Sequence, residues 1–209
     1  TGYSYKDNIR DTEELFKYLI TEKTPDFLTP PFNRISMEEA FIKYAGFSLE
    51  SNYDEVTLRK ELEKLSIHTE ENDNWEVLFN RVFLQMVEPA LPQNKPLVLY
   101  NYPSRIKTMA KDLPGTVWSE RWELYAGGME IANCFSEEKD PEKIREYYIE
   151  EDDLTHPVNQ KYYEIFGNKF PDCSGVAMGM DRLIMLLTGE MSIEGVILFP
   201  LSDIISFRK

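Results

Sequence analysis

The feature that most constrains this 209-residue chain is the stretch Pro171–Arg182, PDCSGVAMGMDR, with the apolar run LIMLLTGEMSIEGVILFP behind it. Residues 173–178 are small or apolar, the pattern of a buried strand, and Met180–Leu187 is apolar nearly all the way round, the pattern of a buried helix. Gly189 stops that helix. The chain must therefore turn from strand to helix at Gly179, with Asp181 and Arg182 in the first helical turn. Backbone amides already place about half a positive charge there, so Arg182 needs an anion nearby. That anion is either one of the chain's own carboxylates or a bound phosphate, and local physics leaves both open.

Charge narrows the partners. The 23 basic and 37 acidic side chains give a net charge of -14, which argues against broad electrostatic attraction to RNA. At 42% hydrophobic and 29% charged, the sequence supports one substantial core. A single domain over residues 1–209 is expected, mainly helical over 1–90 and sheet-bearing over 96–209. Cys134 and Cys173 form no Cys-x-x-Cys pair and there are only two histidines, so neither a zinc site nor a disulfide framework is indicated, and a reducing cytoplasm fits. No apolar run approaches the roughly 20 residues of a membrane span, and the N-terminus lacks a secretory signal's charged start and apolar core. His68 and His156 stand in no motif, and the chain has no Walker A loop, nucleophile elbow or His-Glu-x-x-His.

Periodicity supplies the rest of the frame. Asp7–Leu19 spaces Ile9, Leu15, Phe16 and Leu19 as a helix's inward face, and Pro25, Pro30 and Pro31 break the chain into an extended linker. Ser36–Glu39 is a capping box opening a helix that ends near Gly46. Thr57–Leu65 reads as a solvated amphipathic helix, and Trp75–Val87 has helical spacing through Trp75, Leu78, Phe79, Val82, Phe83 and Met86. From Pro96 the pattern turns to strands, LVLYNY, TVWSERWELYAG and MEIANCFS. Helices over Pro141–Glu150 and Val158–Phe166 separate them from the last strand, so strands and helices do not alternate. The expected fold class is α+β, an antiparallel sheet flanked by helices.

Two hairpin registers compete between the second and third of these strands. With Ala126-Gly127 as the turn, Tyr125 pairs with Gly128, Leu124 with Met129, and Glu123 directly opposes Glu130. Opposed like charges destabilise a sheet, so that register implies a cation, and Mg²⁺ shared with nucleotide phosphates is the candidate. With Gly127-Gly128 as the turn, Tyr125 pairs with Glu130 and the acids separate; Ala126 is poorly suited to the positive φ the first register requires. Strict alternation also puts Glu130 and Asn133 on opposite faces, unless a bulge or strand end intervenes near Ala132–Cys134. Glu137, read alone, is as well explained by a surface acid.

In order along the chain, SYKDNIRDTEELF, PPFNRISMEEAF, ERWELYAGGMEIANCFSEEKDP and the motif 3 pattern Gly179-Met180-Asp181-Arg182 resemble the class II aminoacyl-tRNA synthetases, specifically the lysine branch. PDCSGVA, with Ala177 where true lysyl-tRNA synthetases usually have glycine, is similar to the elongation factor P-lysine ligases. The resemblance implies that ATP and lysine or β-lysine form an aminoacyl-adenylate, and that the acyl group passes to a lysine of elongation factor P, tRNA being the less favoured acceptor. It favours the first hairpin register, with Glu123 opposite Glu130, and implies ATP at Glu123, Glu130, Gly179 and Arg182, with Arg182 catalytic, and Mg²⁺ at Glu123 and Glu130. Asn133 would hold the main-chain end of the amino acid, Glu137 the distal ammonium by charge-assisted hydrogen bonds, and Ala177 would shape the pocket toward β-lysine. Motifs 1 and 2 would precede Thr1, so an N-terminally incomplete domain is expected, with homodimerisation a property of the longer parent. A lysyl-tRNA synthetase fragment and an inactive binding module are the alternatives.

Overall fold

The aromatic and β-branched runs after Pro96 build the centre of a five-stranded sheet. In the computed structural model, which describes residues 1–151, 165–166 and 170–201, the strands lie side by side in chain order: β1 (Asn33–Ser36), β2 (Leu97–Pro103), β3 (Trp118–Ala126), β4 (Met129–Ser136) and β5 (Ser174–Met178). The pairs from β2 onward are antiparallel. β1 was expected to be linker; it instead pairs parallel with β2, Asn33 N–H donating to the Pro96 carbonyl at 2.9 Å. The α+β class holds, with a mixed sheet instead of a wholly antiparallel one.

A parallel pair needs a long crossover, and residues 37–96 provide it. Ser36 and Glu39 cap α2 (Met37–Ala40), which continues as a wider π-turn over Phe41–Ala45 and ends at Gly46, φ 83°. Asp54 caps α3 (Glu55–Lys64), accepting from the Val56 and Thr57 amides at 3.0 Å each. Asn74 caps α4 (Trp75–Val82), which also runs on into a π-turn, Phe83–Val87. Its periodic face becomes a ring stack: Trp75, Phe79 and Phe83 lie parallel with centroids 5.5 and 5.6 Å apart, and Phe41 stacks on Phe79 at 5.4 Å. These rings close over Leu97, Leu99, Tyr102, Trp118 and Tyr125 on the front face of β2 and β3.

The back face carries a second core. Val98, Trp122, Leu124, Ala132 and Cys134 are covered by α1 (Tyr5–Leu19) and, beyond α5 (Pro141–Glu151), by α6 (Met180–Thr188). The Trp122 indole donates to the Tyr5 carbonyl, and Ser136 Oγ accepts the Tyr5 amide at 3.0 Å, fixing α1 across the strands. Leu15 was expected to face inward and is 40% exposed. Thr12 and Glu13 take the buried side, because the Glu13 carboxylate accepts the Phe32 amide at 3.0 Å and Arg34 at 3.1 Å.

Two further expectations are corrected. Among the described residues, 174–178 form the edge of the sheet, not a buried strand, and Gly175, Val176 and Ala177 are exposed. α6 is buried along Leu183, Met185 and Leu186 only; Met180 is 60% exposed. Of the helix expected over Val158–Phe166, all but the last two positions lie outside the described residues. Among the described residues no helix is long and apolar enough to cross a membrane.

Candidate active site on the open half of the sheet

The hairpin turn decides which side chains meet. Gly127 and Gly128 take φ 59° and 79°, the pair of positive values a two-residue turn of this kind demands, so Ala126 stays in the strand opposite Met129. Tyr125 therefore pairs with Glu130, and the direct Glu123–Glu130 opposition is wrong. The next pairs are Leu124 with Ala132 and Glu123 with Asn133, leaving Ile131 as the extra residue of a bulge. This lies one position earlier than the Ala132–Cys134 interval expected, and it has the expected effect. Glu130, Asn133, Phe135 and Glu137 share the front face, while Ile131, Ala132 and Cys134 enter the back core.

Side chains consequently form rows across three strands. Tyr125 stands beside Glu130; Glu123, Asn133 and Ala177 form the next row; Arg121, Phe135 and Gly175 form the third. Glu137 closes the series. Its amide donates to the Cys173 carbonyl at 2.9 Å, and on its other side it bridges Ala110, so β5 and the 109–111 segment both hold its backbone. From Asn133 to Glu137 the strand advances about 13 Å.

Glu123 is the most committed of these groups. Its Oε2 accepts the hydroxyls of Tyr102 at 2.6 Å and Tyr125 at 2.7 Å, and its Oε1 accepts Arg121 at 2.6 Å. Arg121 also lies 4.5 Å over the Tyr102 ring. Burial, then the Glu123 charge, pushes both tyrosine hydroxyls far above the usual phenol range, so both remain protonated donors. Two hydroxyl donors saturate Oε2, and one lone pair remains on Oε1.

Glu130 and Glu137 are different. Burial raises the Glu130 carboxyl, the Glu123 charge raises it further, and a hydrogen bond from Asn133 and the charges of Arg182 and Arg121 partly offset this. Burial alone raises Glu137, and among the described residues its carboxylate has no hydrogen bond or ion pair. Each is a half-buried anionic site that a cation would stabilise.

Arg182 bears on the alternatives left open at the start of the helix. Among the described residues it pairs with no carboxylate; its guanidinium donates to the Glu130 carbonyl at 2.6 Å and is otherwise exposed at the start of α6. Gly179 caps that helix with φ -72°, and among the described residues the nearest atoms a side chain there would meet are Arg182 methylenes at 3.7–3.8 Å, an ordinary contact, so neither dihedral nor packing requires glycine. Glu130, Asn133, Ala177, Gly179, Asp181 and Arg182 line a cavity of about 360 Å³. The sequence reading missed Arg121, the two tyrosines, Phe135 and Gly175. Only the period-2 alternation through Glu123 could have pointed to Arg121 and Tyr125.

The site thus belongs to an α+β domain with a cationic group at one end of a strand and, at the other, a carboxylate without a partner among the described residues. The sequence model described as tRNA synthetases class II (D, K and N) matches residues 2–203, and the chain belongs to that family. It is 32% identical over 217 residues to a lysine–tRNA ligase of Pelotomaculum thermopropionicum, covering 94% of this chain and 42% of that protein. It is 34% identical over 160 residues to an elongation factor P–(R)-β-lysine ligase homolog of Aquifex aeolicus, covering 76% of this chain and 53% of that protein. A lysine–tRNA ligase of Carboxydothermus hydrogenoformans is 31% identical, with 94% and 44% covered. The chain spans about half the length, or less, of these curated relatives.

Proposed function

We propose that this chain carries the motif 3 part of an ATP-dependent ligase that activates lysine or β-lysine as an aminoacyl-adenylate. The observation that carries the reading is Glu137, a half-buried carboxylate with no described partner at the far end of the row that begins at Arg182 and Glu130. An extended lysine with a hydrogen bond at each end suits a span of about 13 Å, its main-chain end at Asn133 and its ammonium at Glu137. Arg182, in no salt bridge among the described residues, would take a phosphate beside the first turn of α6. The donor set fits Mg²⁺ in a restricted way. Glu130 and the remaining lone pair of Glu123 Oε1 would hold it together with the triphosphate, and when bound it would neutralise phosphate charge. Among the described residues no cluster of three or more His, Cys, Asp or Glu could hold a metal alone.

No protein nucleophile is needed for adenylate formation: Asn133, Glu137 and Arg182 hold the carboxylate of the amino acid against the α-phosphate. The acyl group would then pass to a lysine of elongation factor P in the cytoplasm. Ala177, beside Asn133 on the pocket floor, supports this acceptor and β-lysine over transfer of α-lysine to tRNA. ATP–pyrophosphate exchange tests the first step, on this chain and on the longest natural form of the protein. Exchange with α-lysine or β-lysine but not norleucine is expected; none with either lysine in a folded, longest-form protein would overturn the reading. Acylation of elongation factor P against tRNA then separates the acceptors.

A further inference from the structure

Glycine in the interior of a strand weakens it, and usually marks a place where something approaches the backbone closely. Gly175 sits in the middle of β5 on the site face, opposite Phe135. Its φ is not in the left-handed region, so any residue could adopt its backbone. It is exposed on an edge strand, so core packing does not exclude a side chain. A Cβ built on Gly175 meets one heavy atom within 4 Å among the described residues: Glu137 Oε1, at 3.0 Å. Carbon and oxygen at that separation are in repulsion, and the Glu137 carboxylate would have to move.

We propose that Gly175 is a specificity-determining residue: by lacking a side chain it lets the Glu137 carboxylate settle onto the floor of β5, and so sets the length of amino acid the pocket accepts. The proposal rests on the lysine reading above. The carboxylate lies in the direction in which a Cβ would project, so a methyl group there lifts it off the floor toward the ligand. The pocket becomes shallower by a fraction of a methylene. Ala177 stands two residues along on the same face. The two positions then divide the work, Ala177 beside the α-carbon and Gly175 beneath the ammonium.

The test is Gly175→Ala in the longest natural form of the protein, with lysine and its one-methylene-shorter analogue ornithine as substrates in pyrophosphate exchange. The lysine KM should rise by about tenfold, in the range one methylene is worth in a pocket, with kcat changed far less, and the preference for lysine over ornithine should narrow. Adding Glu137→Asp shortens the acid and clears the new methyl group, so the double variant should lose much less than the product of the two single losses. Equal losses for lysine and ornithine, or strictly multiplicative single effects, would overturn the proposal. Crystal structures of wild type and Gly175→Ala separate the two readings. A displaced Glu137 carboxylate in a protein that activates neither substrate sinks the lysine assignment and leaves the steric gauge standing. An unmoved carboxylate sinks the gauge.

Discussion

The front face of the sheet has two halves that follow opposite rules. Over β2 and the adjoining end of β3, every large side chain is roofed by the α2–α4 crossover, and Leu97, Leu99 and Tyr102 are at most 3% exposed. The buried acid at the border with the open half, Glu123, has a donor on both oxygens. Over β4 and β5 the described residues leave the same face open, and Glu130 and Glu137 keep raised pKa values. The contrast shows where this fold can tolerate cost. The roofed half and the back core supply stability, and the open half holds groups that would be better off with a ligand.

The largest expected effect tests the roofed half. Phe79→Ala removes the ring between Trp75, Phe83 and Phe41 and should destabilise by about 3–5 kcal/mol in urea unfolding. Ala177→Ser on the open half should change stability by less than about 0.5 kcal/mol. Comparable losses would erase the distinction between the halves. Next, Glu123→Ala strands Arg121 and two tyrosine hydroxyls and should cost about 3 kcal/mol, while Glu123→Gln keeps an acceptor and should cost less.

The sign reverses on the open half. Glu137→Gln removes a carboxylate without a described partner, so the ligand-free protein should melt higher at pH 7 while lysine-dependent exchange falls by at least about a hundredfold. A lower melting temperature would mean the carboxylate is already satisfied.

The pH dependence is a smaller effect. Folded Glu130 and Glu137 titrate above the unfolded value, so they bind protons before the unfolded chain does. Stability should therefore rise as pH falls from 7 toward about 4.5, and the double variant Glu130→Gln/Glu137→Gln should flatten that slope. Asp172 acts in the opposite sense. Lys111 and Lys139 hold its carboxyl down at about 2, so its contribution is present above the unfolded value and is lost as pH falls from about 4 to 2.

Legibility in the sequence followed how local the determining physics was. The Ser36–Glu39 capping box, the helix stop at Gly46 and the turn from strand to helix at Gly179 depend on a few adjacent residues, and all could be read directly. β1 could not: four residues give too short an alternation to distinguish strand from linker, and its partner lies more than sixty positions away. The hairpin register favoured by the resemblance, with Ala126-Gly127 as the turn, was overturned by the backbone, two glycines taking the positive φ that Ala126 would resist. Tyr102 at Glu123 and Gly175 under Glu137 are meetings across strands that no linear spacing announces.

The bulge at Ile131 gives β4 two phases, one before it and one after. Glu130 belongs to the first phase; Asn133, Phe135 and Glu137 belong to the second. Substitutions can weaken either group but cannot change which face it looks toward; only adding or removing a residue does that. A strand built this way can lose its function one substitution at a time, yet its reading frame is inherited whole. A deletion of Ile131 would act like a frameshift written in geometry, sending one end of the row into the core.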